Sequence, residues 1–360
     1  MKLVCPSCNK SYNIPDSKLP TKKKKVNATC KNCSNTIVVD LTLGNDSDTT
    51  PSDKSAGDNN AASNGKTNTE KEAAAAVTVV YPELKELSSG QYEFGEVFSK
   101  TRKDSYRNKR NKYRVKLLMA VRERLEKMLG ENETVHRIGK GTAYYPSEIF
   151  LGNGWLTMMY NHYVIVGTNV RLLFININSR INHPTHYAYQ MAYEEIKKVT
   201  RGSIFSRIIL SRKKGKRRIF NSVKRYIAKD LTLFIREKMK SADEWVESRK
   251  YLEYLCPTCF ESLDKGLTEC TSCRTEFKLP KTAMLKSLVL PGLGDIYLGH
   301  RFLGLLELAF SIILWIYVLS SLLAGKPEGV VMAVVILIFY NLFDALLTYH
   351  MGKKGYMPLA

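Results

Sequence analysis

The spacing of apolar positions changes character along the chain, and each change marks an element. Between residues 131 and 255, short apolar, β-branched or aromatic runs alternate with turn residues, at Trp155–Tyr160, Tyr163–Thr168, Arg171–Ile177 and Arg207–Ser211, which predicts strands. The segment Arg212–Arg218, R-K-K-G-K-R-R, reads as a hairpin tip between two of them, and a helical period from Ala228 to Leu255 predicts a closing helix. Several strands followed by a helix predict a small α+β barrel. Upstream, over 91–130, apolar residues at helical spacing in Tyr113–Leu129 predict an amphipathic helix behind a basic arm. Residues 41–80 are mostly Asn, Asp, Ser, Thr, Gly and Ala, too few apolar groups to offset the entropy of ordering, so 41–90 is expected to be a disordered linker.

At the other end the periodicity gives way to continuous apolarity. Phe302–Leu323 and Val330–Tyr349 are each about the length that crosses a bilayer as a helix, and only A-G-K-P-E-G separates them. Within 281–360 they predict a transmembrane hairpin. Lys281, Lys286 and Arg301 precede it and Lys353 and Lys354 follow it, which places both ends in the cytoplasm by the positive-inside rule. Three polar residues interrupt the spans. Glu307 and Asp344 lie at similar depth in an antiparallel pair, about 7 to 8 Å inside the edge, and Asn341 lies about one turn from Asp344. They are expected to lock the hairpin, or to sense or move ions.

All eight cysteines fall into four C-x-x-C pairs. Cys5, Cys8, Cys30 and Cys33 form one quartet with twenty-one residues between its pairs, and Cys256, Cys259, Cys270 and Cys273 form another with ten between. Two such knuckles complete the tetrahedral S4 shell of a structural zinc site and leave no open position for a catalytic water. Two structural Zn2+ ions are therefore expected, one at 1–40 and one at 256–280. Disulfides would require an oxidising compartment, and the segment M-K-L-V-C-P-S-C has no apolar signal-peptide core.

The first module, C-P-S-C-N-K-S-Y-N-I-P followed by C-K-N-C-S-N-T-I-V-V, closely resembles the bacterial N-terminal zinc-ribbon family. The stretch Y-V-I-V-G-T-N-V-R-L-L-F, with Y-E-E-I-K-K-V and the basic hairpin after it, resembles bacterial pleckstrin-homology-like domains, which implies such a barrel over 131–255. The stretch L-P-G-L-G-D-I-Y-L-G-H-R-F-L-G, leading into the first span as an interfacial or re-entrant turn, resembles bacterial two-helix membrane domains. None of the three resemblances implies an activity.

Charge adds a partner class. The net charge is +21, and Ile196–Lys229 holds thirteen Lys or Arg and no acid. Arg212, Lys213, Lys214, Lys216, Arg217 and Arg218 are the candidate contacts, and near a cytoplasmic membrane face anionic lipid headgroups are the nearer partner, with nucleic acid less favoured. The chain has no phosphate loop, no H-E-x-x-H and no nucleophile elbow, so no catalytic residue is assigned and no enzyme is expected. The expectation is a multidomain, multi-pass inner-membrane protein, its two zinc ribbons and pleckstrin-homology-like barrel facing the cytoplasm as a scaffold or sensor for lipid or protein partners. A membrane-tethered nucleic-acid-binding regulator and a small transporter or channel-like subunit, which two helices could form only as a homo-oligomer, are the alternatives.

Overall fold

The computed structural model of the chain describes residues 2–4, 11–13, 25–29, 36–40, 60–87, 90–100, 105–145, 158–179, 183–202, 206–241, 252–325 and 327–359. Residues Met1–Ala61 and Ala62–Ala360 form two compact units. In the first, β1 (Lys2–Val4) pairs antiparallel with β2 (Ser11–Asn13), and β3 (Lys25–Thr29) with β4 (Thr36–Asp40). Each C-x-x-C pair of this unit falls in the connection between two paired strands. The four cysteines themselves lie outside the described residues.

The second unit is built on an antiparallel sheet. Its strands are β5 (Val135–Ala143), β6 (His162–Thr168), β7 (Arg171–Ile177), β8 (Pro184–Ala192), β9 (Ile196–Gly202), β10 (Arg207–Arg212), β11 (Arg218–Asn221), β12 (Glu253–Leu255) and β13 (Ser262–Leu263), in the order β13-β12-β8-β7-β6-β5-β11-β10-β9. Helices cover both faces. Val164, Val166, Leu173 and Ile175 point into a core shared with α1 (Asn60–Val80) and α3 (Lys109–Met128), which follow one another around the short α2 (Phe94–Val97). The alternate residues Tyr163, Ile165, Leu172 and Phe174 pack on α4 (Arg225–Ser241) through Ile227, Leu231 and Phe234. Burial on both faces is why β6 and β7 read as unbroken apolar runs rather than as an alternation.

The turn between β6 and β7 is fixed by a buried carboxylate. Glu133 accepts from Arg171 Nε at 2.9 Å and Nη2 at 2.8 Å, from Thr168 Oγ1 at 2.7 Å and from the Gly130 amide at 3.1 Å. The Thr and Arg of the G-T-N-V-R-L-L-F stretch are therefore its clamp.

Three expectations are corrected. The linker does not extend over 60–87: α1 is helical, and its Ala73 and Val77, with Leu84 and Leu87 beyond it, are buried in the core. Tertiary packing supplies there what composition lacks. The closing helix does not continue to Leu255, because Glu253–Leu255 is a strand paired with β8. Within Trp155–Tyr160, Met158–Tyr160 form a 3-10 turn and the rest lies outside the described residues.

Four helices end the chain: α5 (Pro280–Val289), α6 (Leu293–Tyr297), α7 (Arg301–Leu323) and α8 (Pro327–Gly352). Gly292, at φ 86°, turns the chain into α6 so closely over α7 that a Cβ there would lie 2.1 Å from the Gly304 carbonyl oxygen. Only glycine fits both the dihedral and the contact. The base of this bundle is joined to the sheet domain. Lys354, assigned above to a flanking charge, is instead buried and donates to Asn161 Oδ1 at 2.7 Å, and Tyr160 packs on His300 with ring centroids 4.5 Å apart.

Candidate metal centre

The second cysteine quartet is assembled by two turns of the same construction. Cys256 follows β12, its amide donates to the Glu261 carbonyl at 2.8 Å, and the Phe260 amide returns to the Cys256 carbonyl at 3.1 Å. Cys270 repeats this, donating to the Thr275 carbonyl at 2.9 Å and accepting from the Arg274 amide at 3.0 Å. The residue after each pair, Phe260 at φ 59° and Arg274 at φ 58°, is left-handed, an uncommon conformation for a side chain of that size. A left-handed residue in the same place thus closes each of the two cysteine turns.

The sulfurs meet at the spacing zinc requires. Cys256 Sγ lies 3.6 Å from Cys273 Sγ, and Cys259 Sγ lies 3.6 Å from Cys270 Sγ. All four sulfurs lie within 4.8 Å of one another. A tetrahedron with metal–sulfur bonds of about 2.3 Å has edges of about 3.8 Å, whereas a disulfide would need about 2.05 Å. Cys256 and Cys270 are fully buried with Leu263 and Phe277, and Cys259 and Cys273 face outward. Burial pushes the Cys256 thiol up, while the Thr275 hydroxyl, 3.1 Å from Cys273 Sγ, holds that thiol down to about 6.

This four-cysteine module is held on two sides. Its strand β12 extends the sheet, with Glu253 opposite Gln190 and Tyr254 opposite Tyr189 on β8. On the far side Phe277 bridges Pro358, the Lys278 amide donates to the Met357 carbonyl and the Leu359 amide to the Glu276 carbonyl, both at 2.8 Å. The residues that follow α8 therefore close on the metal module.

The six basic candidates separate. Lys213, Lys214, Lys216 and Arg217 are exposed at the tip. Arg212 is not at the surface: it is in phase with the buried Ile208 and Leu210 of β10, and its Nη2 lies 3.0 Å from Glu195 Oε2. Arg218 is half-buried over the rings of Tyr145 and Tyr189. The period-two pattern of β10, carried one residue further, would have placed Arg212 inside.

Of the polar residues in the apolar helices, Glu307 and Asp344 are brought together, and Asn341 turns aside to donate from Nδ2 to the Leu288 carbonyl at 3.2 Å. A third carboxylate, Asp295 of α6, joins the pair, with one oxygen from each within 4.8 Å of the others. Asp295 went unassigned because it lies before the apolar runs; its signal was an acid set among Pro291, Gly292, Gly294 and Ile296.

Comparison with known families matches residues 1–38 to a zinc-ribbon domain. No curated protein matches the chain. The chain therefore carries a zinc-ribbon domain at residues 1–38, a second four-cysteine cluster that fits a metal, and two C-terminal helices long and apolar enough to cross a membrane.

Proposed function

We propose that this chain is a membrane-anchored zinc protein whose work is binding, and that its second ribbon is the strut joining a sheet domain to a helical hairpin. The observation that carries this reading is the position of the four-cysteine module, bonded to β8 through β12 and to the segment after α8 through Phe277 and Lys278. A four-thiolate shell has no open position for substrate, so zinc there would organise and not catalyse.

The membrane part of the reading is supported by the helices' surfaces. Only 28 % of the most apolar stretch of α7 or α8 is buried, and Phe302, Ile313, Trp315, Ile316, Leu323 and Val331 are exposed. A core helix of a soluble domain would bury most of that area, whereas a bilayer accepts it. Four cysteines grouped as one metal-sized cluster suit a reducing, cytoplasmic side for the remainder. Seven strands, β5 to β11, followed by α4 support a pleckstrin-homology-like reading of the sheet domain. The exposed Lys213, Lys214, Lys216 and Arg217 then suit anionic headgroups on the same side.

The test is fractionation with metal analysis. The full chain should remain in the membrane pellet through carbonate extraction and yield two zinc ions per chain after detergent purification. Cys256→Ser should keep the pellet association and lose one zinc. A chain recovered in the soluble fraction would overturn the anchor, and an unchanged zinc count in the variant would overturn the strut.

A further inference from the structure

We propose that Asp295, Glu307 and Asp344 form a binding site for one hard divalent cation of the magnesium, calcium or manganese class. The three carboxyls come from three different helices, α6, α7 and α8, and are 0 %, 4 % and 3 % exposed. Ligand atoms on opposite sides of a cation with bonds of about 2.4 Å are about 4.8 Å apart, so oxygens within 4.8 Å of one another can share one ion. Three buried carboxyls this close can all stay ionised only if a cation lies among them; without one, protons must neutralise part of the cluster.

A second observation points the same way. The Gly292 amide donates to Asp344 Oδ2 at 2.9 Å, while Asp344 Oδ1 is sealed from solvent and receives no backbone or cationic donor. No Lys or Arg among the described residues pairs with Asp344. Ser311, wholly buried one turn along α7 from Glu307, likewise has a hydroxyl oxygen without a partner. A cation satisfies acceptors of this kind; an apolar neighbour does not.

The surroundings are built to hold the ligands in place. Asp295 Oδ1 lies 3.1 Å from His300 Nδ1, and its Oδ2 accepts from Thr348 Oγ1 at 2.8 Å, with Thr348 in turn 3.0 Å from Ser287 Oγ. Outer hydrogen bonds of this sort orient metal-binding carboxylates. The three proposed ligands offer only oxygen, which selects hard ions over zinc or copper, and the charge of three carboxylates calls for more than a monovalent ion. The Gly292–Gly304 contact brings Asp344's amide partner close enough. The site depends on helix packing alone, so it stands or falls separately from the membrane reading.

The experiment uses the zinc-loaded full chain in detergent micelles, titrated with Mn2+ while the spin-resonance signal of free Mn2+ is followed. The expected result is one Mn2+ bound per chain, displaced by Mg2+ or Ca2+. Affinity should fall at least about tenfold in Glu307→Gln, Asp344→Asn and Asp295→Asn and stay unchanged in Glu276→Gln, whose side chain is exposed on the ribbon. No stoichiometric Mn2+ uptake by the unsubstituted chain overturns the proposal, and so does uptake that survives Glu307→Gln with Asp344→Asn. A cluster closed by protons alone gives no uptake and counts against it. If a substituted chain fails to fold, the count on the unsubstituted chain decides.

Discussion

Arg171→Ala is expected to loosen the β6–β7 hairpin far more than an ordinary surface substitution. Two guanidinium nitrogens lie within 2.9 Å of the Glu133 carboxylate, whose side chain is 5 % exposed against 22 % for Arg171. Removing one partner of a buried ion pair costs about 3–5 kcal/mol because the other charge stays buried. Thr168 and the Gly130 amide still donate to Glu133 after the change, and water reaches the arginine side, so the lower end applies, about 3 kcal/mol. Hydrogen exchange read by mass spectrometry on peptides from 162–177 of the full chain should then speed up by roughly a hundredfold where exchange proceeds through opening of this unit. Arg171→Lys keeps the charge but loses the fork, and should lie between. Combining Arg171→Met with Glu133→Gln should cost less than the sum of the single changes by at least about 1 kcal/mol. Additive effects, or a loss under about 0.5 kcal/mol for Arg171→Ala, would refute the argument.

Gly292→Ala should cost about 2–4 kcal/mol, combining left-handed strain with overlap on the Gly304 carbonyl, whereas Gly325→Ala, at φ 65° in open space, should show the strain alone; thermal unfolding of the two variants checks this. His162 is held down to about 4 by burial, with Lys140 adding to it, beside Thr142 Oγ1 at 2.9 Å. Its folded form resists a proton that the unfolded chain accepts near 6.5, so stability should be full above that pH and fall as pH drops from about 6.5 toward 4. His162→Gln should flatten that part of the profile of melting temperature against pH. Neutralising Lys213, Lys214, Lys216 and Arg217 together should abolish salt-sensitive flotation with anionic vesicles, while Arg212→Met should instead destabilise the fold; unchanged flotation of the fourfold variant would remove the tip as a lipid contact.

The parts of this molecule legible in sequence are those whose surroundings are uniform. The strands β6 and β7 announce themselves because both faces are covered, and α7 and α8 because nearly every side is apolar. The second cysteine quartet is legible because each C-x-x-C pair is a local turn whose spacing owes nothing to the rest of the chain. Where structure depends on a distant partner, local reading failed. The helix α1 draws its order from the core it shares with α2, α3 and the sheet, so its polar, alanine-rich sequence looked like a tether. Strand β8, with Pro184, Thr185 and His186 at its start, has little β character, and β12 is a strand only because β8 offers an edge. Asp295 acquires meaning only when α6 folds back over α7. The first quartet, Cys5, Cys8, Cys30 and Cys33, lies outside the described residues, and its reading rests on the matched domain.

The pairing of β12 with β8 also bears on solubility. Without the four-cysteine module, β8 would terminate the sheet with a free row of amides and carbonyls, the template on which foreign strands add and chains polymerise. The strand that covers it is three residues long and leads directly into the turn of Cys256 and Cys259, so any loosening of that turn would bare an adhesive margin.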